Sequence, residues 1–267
     1  MLTSTADEPG HSGDRSGQQR AGLALRECLV AFLAATVAAV LLFRLGQWWS
    51  FVGDNLHGFI AIVFLYTPTM ASRCSGLAFD YSNEGALRTT PLRPIVTTLA
   101  AAILATWPIF VAGFFWFYGS ACQSNAHALV QWWWQTFAPI CPRWLGELSP
   151  PLRLPPDFLL LMLSQLLVVA LPEELFFRGY LWDRLEAKWP HRWRILSAPV
   201  GYAWLVSSLL FAVGHLAVDL DPLRLLVFFP ALVFGWMRAR SDSIVPGLVF
   251  HALCNLLSDV LYETYFR

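Results

Sequence analysis

The chain has 267 residues, of which 57% are hydrophobic and 13% charged, about half the ~25% charge of an ordinary soluble domain. That balance excludes a large water-soluble core. The formal net charge of +0 gives no electrostatic footprint for nucleic acid. The composition predicts an all-α, polytopic membrane helix bundle with the lipid bilayer as its surroundings.

Residues 1–20 are polar and rich in Gly and Ser, without the apolar core of a signal peptide, and read as a disordered cytoplasmic tail. Spans of about 20 apolar residues are expected at Cys28–Trp48, His57–Ala71, Pro94–Tyr118, Asp157–Phe177, Ser197–Val218, Leu223–Met237 and Ile244–Tyr262, about seven crossings in all. Residues 21–155 form an N-terminal set of membrane helices, and residues 156–267 a helical core that carries the polar groups. Arginine placement orients the bundle. Arg15, Arg20 and Arg26 precede the first span, and Arg73, Arg88 and Arg93 follow the second. Arg178, Arg184, Lys188, Arg192 and Arg194 follow the fourth, and Arg238 and Arg240 the sixth. All fall on one side if the N-terminus is cytoplasmic, as the positive-inside rule requires. The long Gly119–Pro156 loop, rich in Trp and Pro, is then non-cytoplasmic, and its Cys122 and Cys141 could pair in an oxidising compartment. Cys28 and Cys254 read as embedded or interfacial. Thirteen tryptophans, clustered where apolar runs end, suit an interfacial belt. High Trp and Arg with almost no Lys points to a bacterial inner (plasma) membrane.

Ionisable residues within membrane spans are costly, so each is a functional-site candidate by default. Glu173 and Glu174 close an apolar run, and Arg178 lies one turn beyond Glu174 as a partner. Glu173 is turned by about 100° from its neighbour and is free to face the bundle interior. Phe211 and His215 are one turn apart on a second helix, with Gly214 allowing close helix contact. His251 and Asn255 share a face of a third. A carboxylate and an imidazole on separate helices can hold a water, with the carboxylate as general base. A second imidazole with a carboxamide one turn away can donate to a developing oxyanion. These are the parts of a peptide-bond hydrolase that needs no covalent intermediate. His57, Asp54 and Asp259 read as polar groups at helix ends.

Other protease chemistries lack their residues. There is no His-Glu-x-x-His zinc helix and no Gly-x-Ser-x-Gly elbow, Ser207-Ser208 lacks flanking glycines, and paired aspartates on two helices are missing. Two non-proteolytic readings remain, a membrane scaffold or immunity-type protein and a transporter using Glu173 as a proton carrier. No cofactor is expected, although Glu173, His215 and His251 could form a two-histidine, one-carboxylate zinc site.

The ordered set Glu173-Glu174-x-x-x-Arg178, Phe211-x-x-x-His215 and His251-x-x-x-Asn255 resembles the CPBP family. That family includes the type II CAAX prenyl endopeptidases (the Ras-converting enzymes) and the bacterial Abi proteins. The resemblance spans roughly Pro156 to Tyr262. It implies an intramembrane endopeptidase of the glutamic type, acting near the membrane-anchored end of a protein or peptide substrate. Glu173 would be the base, His215 would help hold the water, His251 and Asn255 would form the oxyanion site, and Glu174, Arg178 and Phe211 would support them.

Depth poses a difficulty. Glu173 lies close to the positively charged loop, whereas His215 is about 20 residues into its span, nearly a full crossing at 1.5 Å per residue. The two can meet if Arg184–Gly201 forms an interfacial arm, the span begins near Tyr202 and Glu173 lies deeper.

Overall fold

A computed structural model of the chain describes residues 11–81, 91–123, 141–146 and 151–266. Helix α1 (His11–Gly46) is followed by the short α2 (Ser50–Asp54), α3 (Leu56–Ser75) and α4 (Leu92–Gln123). A single long helix, α5 (Phe158–Lys188), leads into the antiparallel hairpin β1 (Trp193–Ile195) and β2 (Ala198–Val200). Then come α6 (Tyr202–Asp219), α7 (Pro222–Ser241), whose first turn is 3-10, and α8 (Val245–Tyr265). Among the described residues, six helices are long and apolar enough to cross a membrane: α1, α4, α5, α6, α7 and α8. With α3 they account for the seven expected. The apolar run of α3 spans only Phe59–Tyr66, bounded within the helix by His57-Gly58 before it and Thr67-Pro68-Thr69 after it.

The expected span Ser197–Val218 begins only at Tyr202, because Ala198–Val200 pairs in the hairpin, and the two largest departures from the expected boundaries are in α1 and α5. Helix α1 begins at His11, so residues 11–20, expected as tail, continue the helix, and residues 1–10 lie outside the described residues. Helix α5 runs to Lys188 rather than ending at Phe177. Arg88 and much of the Trp-rich loop also fall outside the described residues.

Small residues let α1 approach the core. Ala24, Cys28, Ala31, Ala35 and Ala39 recur every three or four positions and are all buried, a stripe that allows close backbone contact between membrane helices. Cys28, Ala31 and Ala35 pack with Phe176, Phe177, Tyr180, Leu181, Leu185, Ala203, Phe211 and Ala231. The opposite face of α1, with Leu29, Val30, Leu33, Val37 and Leu41, is exposed. In water that would be a large apolar patch; in a bilayer it is the surface the surroundings favour. Glu27 also faces inward, accepting hydrogen bonds from Tyr180 Oη (2.7 Å), Arg184 Nε (3.0 Å) and Ser75 Oγ (2.7 Å). This ties α1 to α3 and α5. Helices α4, α7 and α8 meet around Ala102, Phe234, Met237 and Phe250.

Gly201 follows the hairpin, and α6 starts at Tyr202, where the depth argument placed it. The two-residue turn Leu196-Ser197 has φ of 47° and 71°, the twist that primed hairpin turns require.

Candidate active site

The geometry of α5 follows from its sequence. Pro172 has no N–H to offer the Val168 carbonyl, and its ring crowds that oxygen. The wider i→i+5 winding of Gln165–Ala170 takes up the mismatch. A second such stretch covers Leu175–Leu181. On a regular α-helix Gln165 and Glu173, eight residues apart, would be about 80° out of line. The slower rotation of the wide turns reduces that angle, so both line one cavity. Glu173 sits midway along the 31 residues of α5, not at a helix end, which removes the depth difficulty.

Glu174 is fully buried, and its neighbours hold one of its oxygens, Oε1, while Oε2 has no hydrogen-bond partner. Arg178 Nη1 donates to its Oε1 at 2.9 Å, and His251 Nδ1 donates to the same oxygen at 3.0 Å. Arg178 Nη2 donates to the Ala231 carbonyl at 3.2 Å. The guanidinium lies 4.4 Å from the Phe211 ring centroid and 5.2 Å from that of Phe234, within cation–π range of both. The His251 ring stacks on Phe234, with centroids 4.7 Å apart and planes 16° from parallel. These contacts fix the imidazole, and because Nδ1 is engaged by Glu174, Nε2 is the nitrogen left for the cavity.

That nitrogen lies 3.7 Å from Glu173 Oε2, a buried oxygen with no hydrogen-bond partner. Glu173 and Glu174 therefore have divided environments, one held by ion pairs and the other facing the cavity. His215 Nδ1 is 2.9 Å from the Phe211 carbonyl, which orients its ring, and its centroid is 4.4 Å from that of Phe211. The imidazole within ion-pair range of Glu173 is thus that of His251, and His215 lines the same cavity. Phe211 contacts both, with its ring 5.8 Å from His251.

Glu173, Phe211, His215, His251 and Asn255 all line a cavity of about 950 Å³ bounded by α1, α3, α4, α5, α6, α7 and α8. Its walls are mainly apolar, with Phe43, Ile60, Phe64, Trp107 and Phe110 among them. Glu174 and Arg178 lie behind it. His57 and Asp219 also line it, while Asp54 ends α2 and is exposed. Gly214 is not required for close packing. A methyl group there would meet Phe32 and Phe177 at an ordinary 3.7 and 3.8 Å. Among the described residues, no three His, Cys, Asp or Glu side chains are gathered to hold a metal ion.

Three more cavity residues bear on the site: Gln165, Asp259 and Phe234. Asp259, expected as a helix-end polar group, lies one turn beyond Asn255 on α8. It accepts a hydrogen bond from Gln165 Nε2 at 3.1 Å. The spacing His251, Asn255, Asp259 was a legible signal, since steps of four share a helix face. Gln165 had no such signal, because its orientation depends on the irregular winding.

Cys122 and Cys141 form a disulfide. No curated protein and no solved structure matches the chain. A protein-family model, described as Type II CAAX prenyl endopeptidase Rce1-like, matches residues 155–257. The segment that supplies Glu173, His215, His251 and Asn255 is thus similar to the Rce1-like type II CAAX prenyl endopeptidases, the family that the three motifs resemble.

Proposed function

We propose that this chain is an intramembrane endopeptidase of the glutamic type. It hydrolyses a peptide bond near the membrane-anchored, C-terminal end of a protein substrate. The observation that carries the reading is the division of labour between the two adjacent acids. Glu174 is neutralised by Arg178 and His251, while Glu173 faces the cavity 3.7 Å from an imidazole. Glu173 removes a proton from water, assisted by His215 across the cavity, and the resulting hydroxide attacks the scissile carbonyl carbon. The oxyanion that forms receives an N–H from Asn255 and, when protonated, the Nε2–H of His251. As the tetrahedral intermediate collapses, the C–N bond breaks and the proton on Glu173 passes to the leaving amine. The mainly apolar walls suit a lipid-linked or helical apolar anchor, and enclosure strengthens each charge-assisted contact.

This chemistry uses no metal. The excess of arginines on one side, with Arg44, Arg143, Arg153 and Arg224 opposite, supports a cytoplasmic N-terminus in a bacterial inner membrane, and the Cys122–Cys141 bond supports an oxidising compartment on the far side.

The test compares purified native protein with Glu173→Gln in detergent. The probes are fluorescence-quenched peptides anchored by a farnesyl thioether or by a C-terminal apolar helix. Cleavage is expected from the native chain, with and without a chelator, and a loss of at least about 10³-fold in the variant. Undiminished cleavage by Glu173→Gln would end the catalytic assignment. Chelator sensitivity reversed by zinc would replace the metal-free mechanism with a zinc site at Glu173, His215 and His251. Proton-driven flux in vesicles without any cleavage would replace the protease with a transporter.

A further inference from the structure

Asn255 can serve an oxyanion only if its carboxamide presents N–H, not C=O, to the reacting carbonyl. A carboxamide is nearly symmetric in shape, so something must fix which end faces which way. Asn255 Nδ2 donates to Gln165 Oε1 at 2.9 Å, and Gln165 Nε2 donates to Asp259 Oδ2 at 3.1 Å. An ionised carboxylate offers only acceptors. It therefore forces the NH₂ of Gln165 toward itself and the carbonyl of Gln165 toward Asn255. That carbonyl in turn forces the NH₂ of Asn255 toward Gln165. One hydrogen of that NH₂ is engaged, and the other remains available on the cavity side that Asn255 lines.

We propose that Gln165 and Asp259 are positioning residues of the hydrolytic site, a polarity chain that sets the Asn255 carboxamide with its N–H toward the substrate oxyanion. The proposal rests on the oxyanion role given to Asn255 above and extends the site by two residues that act through it. The chain joins α5 to α8, and its α5 member lies in the wide winding that Pro172 imposes. The same irregularity that aligns Glu173 with the cavity therefore brings Gln165 within reach of α8. Asp259 lies one turn from Asn255 on α8, so Gln165 bridges two residues already held on one face.

The anchored peptide panel tests this with kcat and KM measured separately. Gln165→Leu is expected to lower kcat about 10- to 100-fold, because misdirecting one donor costs up to about that much. KM should stay within about twofold, since the contact is made in the transition state. In a double-mutant cycle, Gln165→Leu should add nothing to Asn255→Ala. The sharper test is an exchange. Gln165→Glu alone sets two carboxylates against each other, and Asp259→Asn alone leaves the polarity of Gln165 undetermined. In Gln165→Glu/Asp259→Asn the donor and acceptor of the outer bond change places, while the introduced carboxylate still accepts from Asn255. The pair is expected to recover kcat lost in either single variant. If Gln165→Leu fails to fold in a thermal melt, the exchange series carries the test. Native kcat in folded Gln165→Leu overturns the proposal, as does additivity with Asn255→Ala, or an exchange pair no better than its single variants. Full activity in Asn255→Ala removes the oxyanion reading itself, and this chain with it. An impaired Asn255→Ala beside an unaffected Gln165→Leu removes only the chain.

Discussion

At the scale of single residues, the decisive feature is that two adjacent carboxylates meet opposite surroundings. Glu174 and Arg178 are both fully buried, and a buried ion missing one partner is strongly penalised. Arg178→Ala should therefore destabilise the fold by about 3–5 kcal/mol, measured as a loss of unfolding free energy in micelles. Adding Glu174→Gln should recover part of that loss, since it removes the stranded charge. If Arg178→Ala melts like the native chain, the ion pair is not what holds the core of the site. The pairing of Glu174 with Arg178 was legible from their spacing of four, because that step is fixed by the helix itself. The contact of His251 with both acids was not, since it joins His251 to residues 77 and 78 positions away.

At the scale of elements, two features of α5 and α7 determine how tightly the site is assembled. A Cβ on Gly235 of α7 would lie 2.6 Å from Trp204 Cδ1 and 3.0 Å from Trp182 Cζ3. Trp182 is buried, and Trp204 Nε1 donates to the Leu232 carbonyl at 2.8 Å. Gly235→Ala should lower the melting temperature, with an overpacking cost of about 1–3 kcal/mol. An unchanged melt would mean the indoles move without cost. Pro172→Ala is expected to act differently. It restores an N–H to the Val168 carbonyl and favours regular winding, which rotates Gln165 away from the cavity face. The melt should then hold or rise while turnover falls. The helices themselves follow from runs of apolar residues, but the wide turns do not: a proline in a span predicts an irregularity without saying which neighbours absorb it.

At the scale of the molecule, the fold is a set of membrane helices whose close packing the small residues permit, and the topology favoured by the positive-inside rule is open to a direct test. Cys74, at the end of α3, is an exposed free thiol in a segment that the arginine pattern assigns to the cytoplasm. A maleimide that cannot cross the membrane should label Cys74 only after cells are permeabilised. It should reach Cys122 and Cys141 from outside only after reduction. Labelling of Cys74 in intact cells would reverse the topology.

Composition and apolar run length by themselves determined that this chain is a polytopic helical membrane protein. Spacings of four determined which polar residues share a face, because both depend on interactions local to the chain. Three outcomes required the assembled bundle: His251 as the imidazole beside Glu173, the depth of Glu173 within a longer α5, and the recruitment of Gln165 and Asp259. Each depends on how one helix is wound and rotated against another. That is settled by proline-induced irregularity and side-chain packing between segments far apart in sequence, which no local pattern encodes.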